Sequence, residues 1–341
     1  MSTIDIPSAG TSSASDRPHG GPHRPLLVMV AVMAALVLVA TVGMLVDDRR
    51  LLGESVWLKP WKFGIAFAVY GLTLTWLLSL PHRARRATWW LGAVIAVTGI
   101  VDVGFIALQA ARGSFSHFNN ADSDPVNVVG QWIFTSGVPG LFLATLVLAV
   151  LISRQRLVDG PTTLAIRAGL TLAVLGMAQA YLMGFTGKQR VLDAEGRPVE
   201  LGAGNTVLDP AARTEAARDV DGMPLTHWST LGGDLRIPHF LGLHALQVLP
   251  AAVLALSAAA RRHAWLRPER TRTELVAVLG FGYAGLFALV FWQAMRAQSL
   301  IHPDGATLAV FAGLLSTVAG LLVLVGLRGR ARLTAGARPR G

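Results

Sequence analysis

The chain has 341 residues, of which 52% are hydrophobic and only 15% charged, with a mean hydropathy of +0.51. That is too little charge to cover a soluble protein of this length. The apolar residues fall into runs of about 20, the length of a helix that crosses ~30 Å of hydrocarbon, rather than into the alternation of an outer-membrane barrel. The net charge of +10 does not indicate nucleic acid, because the arginines cluster beside the apolar runs. The absence of cysteine excludes disulfides, thiolate metal sites and thiol catalysis.

The expected fold is all-α, a polytopic membrane bundle of eight transmembrane helices. Residues 1–24, rich in Ser, Gly, Pro and His, are expected to form a disordered tail. The first apolar run follows too late and is too long for a cleaved signal peptide. Spans are expected at 25–46, 63–81, 89–111, 129–153, 163–186, 238–260, 273–296 and 305–327, with a basic tail at 328–341. Clusters such as Arg83, Arg85 and Arg86 follow the even-numbered spans, so that side and both termini are expected to be cytoplasmic, in a bacterial inner (plasma) membrane. Connection 187–237 is then an extracytoplasmic loop. Connection 47–62 is the exception, since Arg49, Arg50, Lys59 and Lys62 lie in it yet it should be outside.

An internal repeat is also expected. Gln109-Ala110-Ala111-Arg112 matches Gln293-Ala294-Met295-Arg296, and Leu58-Lys59-x-x-Lys62-Phe63 matches Leu235-Arg236-x-x-His239-Phe240. Ser136-x-Val138-x-Gly140-Leu141 matches Ser316-x-Val318-x-Gly320-Leu321. Offsets of 184, 177 and 180 describe one register with small indels, dividing the chain into halves 25–153 and 154–327. An even number of spans separates the copies, so the halves would be parallel.

Ionisable groups inside a span are costly and mark candidate sites. Asp102 lies about 13 Å from the outer end of the third span at ~1.5 Å per residue, with Gln109 two turns away on the same face. A charge partner such as Lys59 or Lys62 is the alternative to a ligand-binding role for Asp102. The sixth span presents His239, His244 and Gln247, then Pro250. His117, His227, His239, His244 and His302 fall on the outer side with Gln131, Gln179, Gln293, Arg112 and Arg296, forming one polar layer. Only three residues are lysine, and two are Lys59 and Lys62. They serve either as interfacial anchors beside Trp57 and Trp61 or as cations that pair with Asp102 or an anionic ligand.

Three segments resemble an uncharacterised family of bacterial polytopic membrane proteins. These are Trp57-x-Lys59-Pro60-x-Lys62-Phe63, Gln109-Ala110-x-Arg112-Gly113-x-x-Ser116-His117-Phe118-Asn119 and His239-Phe240-x-Gly242-x-His244-Ala245-x-Gln247. The resemblance covers roughly residues 55–305 and implies a multi-pass bacterial membrane protein without implying an activity.

The function favoured by the residues is binding or transport of a small molecule or ion in an outward-facing pocket between the halves, with the lipid bilayer as the other partner. The candidates are Lys59, Lys62, Asp102, Gln109, Arg112, His117, His239, His244, Gln247, Gln293, Arg296 and His302. Two alternatives stand beside it. One is a redox protein holding b-type haem or a metal, with His117, His244 and His302 as ligands, although the second, fourth and eighth spans contain no histidine. The other is an enzyme acting on a lipid-linked substrate, with Asp102 or a histidine as base.

Overall fold

A computed structural model describes residues 21–209 and 222–336. The expectations for residues 1–20 and for Arg338 and Arg340 lie outside the described residues. Eight helices among the described residues are long and apolar enough to cross a membrane, and the fold is an all-α eight-helix bundle. The chain is a multi-pass membrane protein.

The helices are α1 (Arg24–Val46), α2 (Leu58–Ser79), α3 (Arg85–Ala111), α4 (Pro125–Ser153), α5 (Gly160–Ala180), α6 (Arg236–Arg262), α7 (Glu269–Met295) and α8 (Gly305–Gly336). Local chemistry starts several of them. Asp124 caps α4 by accepting from the Val126 N–H, and Asp159 caps α5 by accepting from Thr162. Each cap is followed by a proline in the first turn, where its missing N–H costs nothing. Asp304 accepts from the Thr307 N–H in the same way at the start of α8.

One boundary differs in a way that matters for the site. Residues 58–62 belong to the first turn of α2 and not to the preceding connection. Pro60 is tolerated there because the first four N–H groups of a helix have no intrahelical acceptor. Lys59 and Lys62 therefore project from a helix end. The ring of Trp57 lies over Gly43 of α1, where an added Cβ would meet it at 2.5 Å.

Helix packing follows the same order in both halves. In the first, α1 packs on α2 and α3, α2 on α3, and α3 on α4. In the second, α5 packs on α6 and α7, α6 on α7, and α7 on α8. The α5–α6 crossing is the tightest, because a Cβ on Gly242 would stand 2.6 Å from the Gly176 Cα. Small residues let two backbones approach this closely without a polar driving force. The halves meet through α4 against α5 and through a core that joins Leu148 and Leu77 to Leu170 and Leu246. The α8 helix is peripheral and mostly exposed, as a lipid-facing helix is.

One end of the bundle carries the short arginine-rich connections. The other carries the longer ones, with three antiparallel strand pairs: β1 (Arg50–Leu51) with β2 (Glu54–Ser55), β3 (Gln189–Leu192) with β4 (Pro198–Leu201), and β5 (Thr206–Val207) with β6 (Gly233–Asp234). The β3–β4 hairpin leans on the α3–α4 connection, with Asn120 N–H donating to the Glu200 carbonyl and Ala194 N–H to that of Gly113. This looped end holds nearly all the candidate residues.

Candidate functional site

The lysines at the start of α2 meet the start of α6 across the boundary between the halves. Lys62 Nζ stands 3.1 Å from Glu54 Oε1 of β2 and donates to the Thr226 carbonyl at 3.4 Å. Glu54 also faces His227 Nδ1 at 3.6 Å. On the α6 side, Arg236 Nε donates to Asp234 Oδ1 at 3.0 Å and its terminal nitrogen to Oδ2 at 2.6 Å. The same guanidinium reaches the His227 carbonyl, and the Asp234 side chain is fully buried beneath it.

Lys59 lies between these pairs. It is within electrostatic reach of Arg236, Lys62 and Glu54. Its side chain is partly buried, yet among the described residues it has neither a hydrogen bond nor an ion pair. Glu54 and Lys62 are paired, as are Asp234 and Arg236, which leaves Lys59 without a bonded carboxylate among the described residues.

His117 completes this group from the α3–α4 connection. Its ring is 4.2 Å from that of Phe134 and 5.8 Å from that of Phe63, centroid to centroid, with Phe118 on a third side. Ser116 Oγ lies 3.1 Å from Nδ1. Burial in this aromatic surround, and then the Lys59 charge, push the His117 imidazole well below its usual pKa. The ring is therefore neutral at pH 7, an acceptor as well as a donor. Neither Lys59 Nζ nor His117 Nε2 is sealed within the packed core. Glu54 and His227 also line an adjoining cavity of about 400 Å³, bounded by Arg50, Leu58, Met223 and Leu225.

Asp102 is elsewhere. It is 5% exposed, and its Oδ1 has no hydrogen-bond partner. It faces Gly137 of α4, where a Cβ would stand 2.4 Å from Oδ1. The pairing with Lys59 or Lys62, one of the two alternatives for Asp102, does not occur. Those lysines stand at the helix end, whereas Asp102 is roughly 13 Å deeper at ~1.5 Å per residue along α3.

The two Gln-x-x-Arg matches are engaged by the protein itself. Gln109, fully buried, donates to the Phe115 carbonyl at 3.2 Å and accepts from Arg112 at 2.7 Å. Arg112 then bonds Asp124, the cap of α4, at 3.0 Å. Gln293 donates to the Ser299 carbonyl at 2.7 Å, and Arg296 pairs with Asp304, the cap of α8, at 2.5 Å. In both halves the motif ties the end of one helix to the start of the next.

The remaining histidines do not converge. His239 Nδ1 lies 2.8 Å from the Gly176 carbonyl at the tight crossing, which accounts for one ring nitrogen. His244 is exposed on the α6 surface, and His302 is exposed beyond α7. Among the described residues, no three His, Asp or Glu side chains are grouped so as to hold a metal ion. Gln247 bridges α6 to α2. With its amide oxygen toward Thr73 Oγ1 at 3.2 Å, its nitrogen donates to the Leu243 and His244 carbonyls.

Glu54, Asp234 and Arg236 were missing from the expected ligand-binding residues. A spacing signal was present, since Asp47-x-Arg49 and Asp234-x-Arg236 form the same clamp, the carboxylate accepting both from the arginine backbone and from its guanidinium. Trp57 Nε1 adds a further bond to Asp47 at 2.8 Å. Glu54 carries no such signature, because its partner comes from the next element.

No family model matches the chain, and no curated protein and no solved structure matches it.

Proposed function

We propose that the chain is a binding or transport protein of a bacterial plasma membrane, taking a small molecule or ion at the looped end between two related four-helix halves. The observation that carries this reading is the meeting of the α2 and α6 starts around Lys59. A cation at a helix-bundle seam with no bonded anion is an open position for an external one, since ionisable groups in membrane proteins pair with one another or mark ligand sites. The repeated packing order and the repeated Gln-x-x-Arg clamps support the relation between the halves. Sites in repeat-built membrane proteins fall at such seams.

The same reading puts the arginine-rich end in the cytoplasm, with both termini, and the looped end outside. At the looped end Arg49, Lys62 and Arg236 are each bonded to a carboxylate, Asp47, Glu54 and Asp234, while connection 47–62 stays an exception to a rule that counts Lys and Arg alone. Because the chain has no cysteine, Leu192→Cys in the exposed β3 strand gives a single label site. A membrane-impermeant maleimide should modify it from outside in intact cells, and modification only after lysis would reverse the topology.

The binding reading is tested by mass spectrometry of small molecules retained by wild-type protein and Lys59→Met after mild detergent purification. The wild type should hold a species that the variant lacks. An identical complement in both, or nothing retained by either, counts against the site.

A further inference from the structure

Resting on that reading, we infer that the ligand is an organic anion with an apolar body, its head bound by Lys59 and its body lying along the aromatic surround of His117. The charges at the seam carry the argument. Lys59, Lys62 and Arg236 contribute three formal positive charges, and Glu54 and Asp234 two negative ones, with each carboxylate already bonded to its own cation. Among the described residues Lys59 is left without a bonded anion, and Arg50 at the adjoining cavity bonds only the Gly53 carbonyl, so a cationic ligand would add to the excess.

The second element is the wall beside that charge. Phe63 follows Lys62 directly on α2 and packs on His117, which in turn packs on Phe134 of α4. A neutral imidazole with an unpartnered Nε2 suits the second oxygen of a carboxylic or phosphoric head, as donor or acceptor, whereas a fully hydrated inorganic ion would gain little from phenylalanine rings. Free fatty-acid-like carboxylates and the headgroups of anionic lipids share this chemistry.

The test uses the full chain in nanodiscs of phosphatidylcholine, with thermal stability as the readout. The probes are octanoate, octylamine, octanol and inorganic phosphate, together with a second nanodisc containing phosphatidylglycerol. Octanoate or the phosphatidylglycerol disc should stabilise the wild type, the first outcome assigning a free organic anion and the second a lipid headgroup. Lys59→Met should weaken that response roughly 10- to 100-fold, the usual weight of a charge-assisted contact, and Lys59→Arg should restore most of it. Without added probe, Lys59→Met should unfold at the same temperature as the wild type or higher, since it removes a cation that has no bonded anion. A lower unfolding temperature would make Lys59 a structural anchor and overturn the inference.

The class of ligand fails separately from the site. If octylamine or octanol stabilises as well as octanoate, and through Lys59, the site stands and its anion preference is wrong. If inorganic phosphate alone acts through Lys59, the site again stands, but the apolar body has no role and the ligand class is wrong. If no probe and neither lipid disc acts through Lys59, the site itself is rejected.

Discussion

The starts of α2 and α6, 177 residues apart, solve the problem of a cation at a helix end in opposite ways. Arg236 is clamped by Asp234 of β6, two residues earlier. At the matching place before Lys59 stands Trp57, which is engaged by Gly43 and Asp47 and offers no carboxylate. The α6 start is thus electrically closed and the α2 start open. The contrast between the two starts is a sharper pointer to a ligand than either start alone.

The largest test of that contrast is to open the closed side. Arg236→Met leaves the fully buried Asp234 carboxylate without its cation, and breaking a buried pair from one side costs about 3–5 kcal/mol. Its unfolding temperature, followed by tryptophan fluorescence in one detergent, should fall well below that of the wild type, while Lys59→Met should not fall at all. Equal losses in the two variants would erase the distinction between a closed and an open start.

The helix-end clamps give the next effect, and they too differ between the halves. Arg112 bonds the buried Gln109 as well as the Asp124 cap, while Arg296 pairs with Asp304 at the surface and stacks over Trp292 at 4.5 Å. Arg112→Met should cost about 1–3 kcal/mol by stranding a buried acceptor. Arg296→Met should lower the unfolding temperature less, because an exposed ion pair is screened by water. The reverse ranking would mean that the second half, and not the first, bears the stability of the looped end.

Much of the architecture was legible because a membrane imposes one rule on every span. Each apolar run had to be a helix, and the arginine clusters bounded it, so all eight were expected within a few residues of where most of them lie. The start of α2 came five residues early because Lys59, Pro60 and Lys62 look like a connection until the first-turn tolerance of proline is weighed, and α8 runs nine residues past its expected end at 327. The site was legible only in part. Scarcity singled out the lysines, and the Phe118 and Ser116 neighbours of His117 were adjacent in sequence. Asp234 and Glu54 were not, since their value comes from which cation each one neutralises, and that depends on how α2 and α6 meet. Gln109 and Gln293 were conspicuous for the opposite reason, as buried polar groups spent on backbone carbonyls.

Acidification gives a smaller, graded test of the open side. The folded-state pKa of His117 is depressed, so its contribution is fully present above the unfolded value of about 6.5 and is lost as the pH falls below it. In that range the unfolded chain takes up a proton that the folded one does not. Wild type should therefore lose up to about 1.4 kcal/mol per pH unit below ~6.5, relative to His117→Gln. Parallel pH profiles would mean that the ring titrates freely and that the aromatic surround does not exclude water.

The smallest expected effect concerns Asp102, a buried carboxyl whose Oδ1 has no hydrogen-bond partner. Asp102 and Lys59 have opposite signs, and a pairing between them would undo the argument that Lys59 awaits an external anion. Asp102→Asn keeps the shape and replaces a carboxyl whose Oδ1 accepts nothing, so the change in stability should stay within about 1 kcal/mol. The decisive quantity is the double variant Asp102→Asn, Lys59→Met. Groups this far apart with no shared partner should be additive to within about 0.5 kcal/mol. A coupling above ~1 kcal/mol would place the two charges in one network and supply Lys59 with an internal counterion. Additivity keeps the α2 start open, with Asp102 as a separate feature of the α3–α4 seam against Gly137.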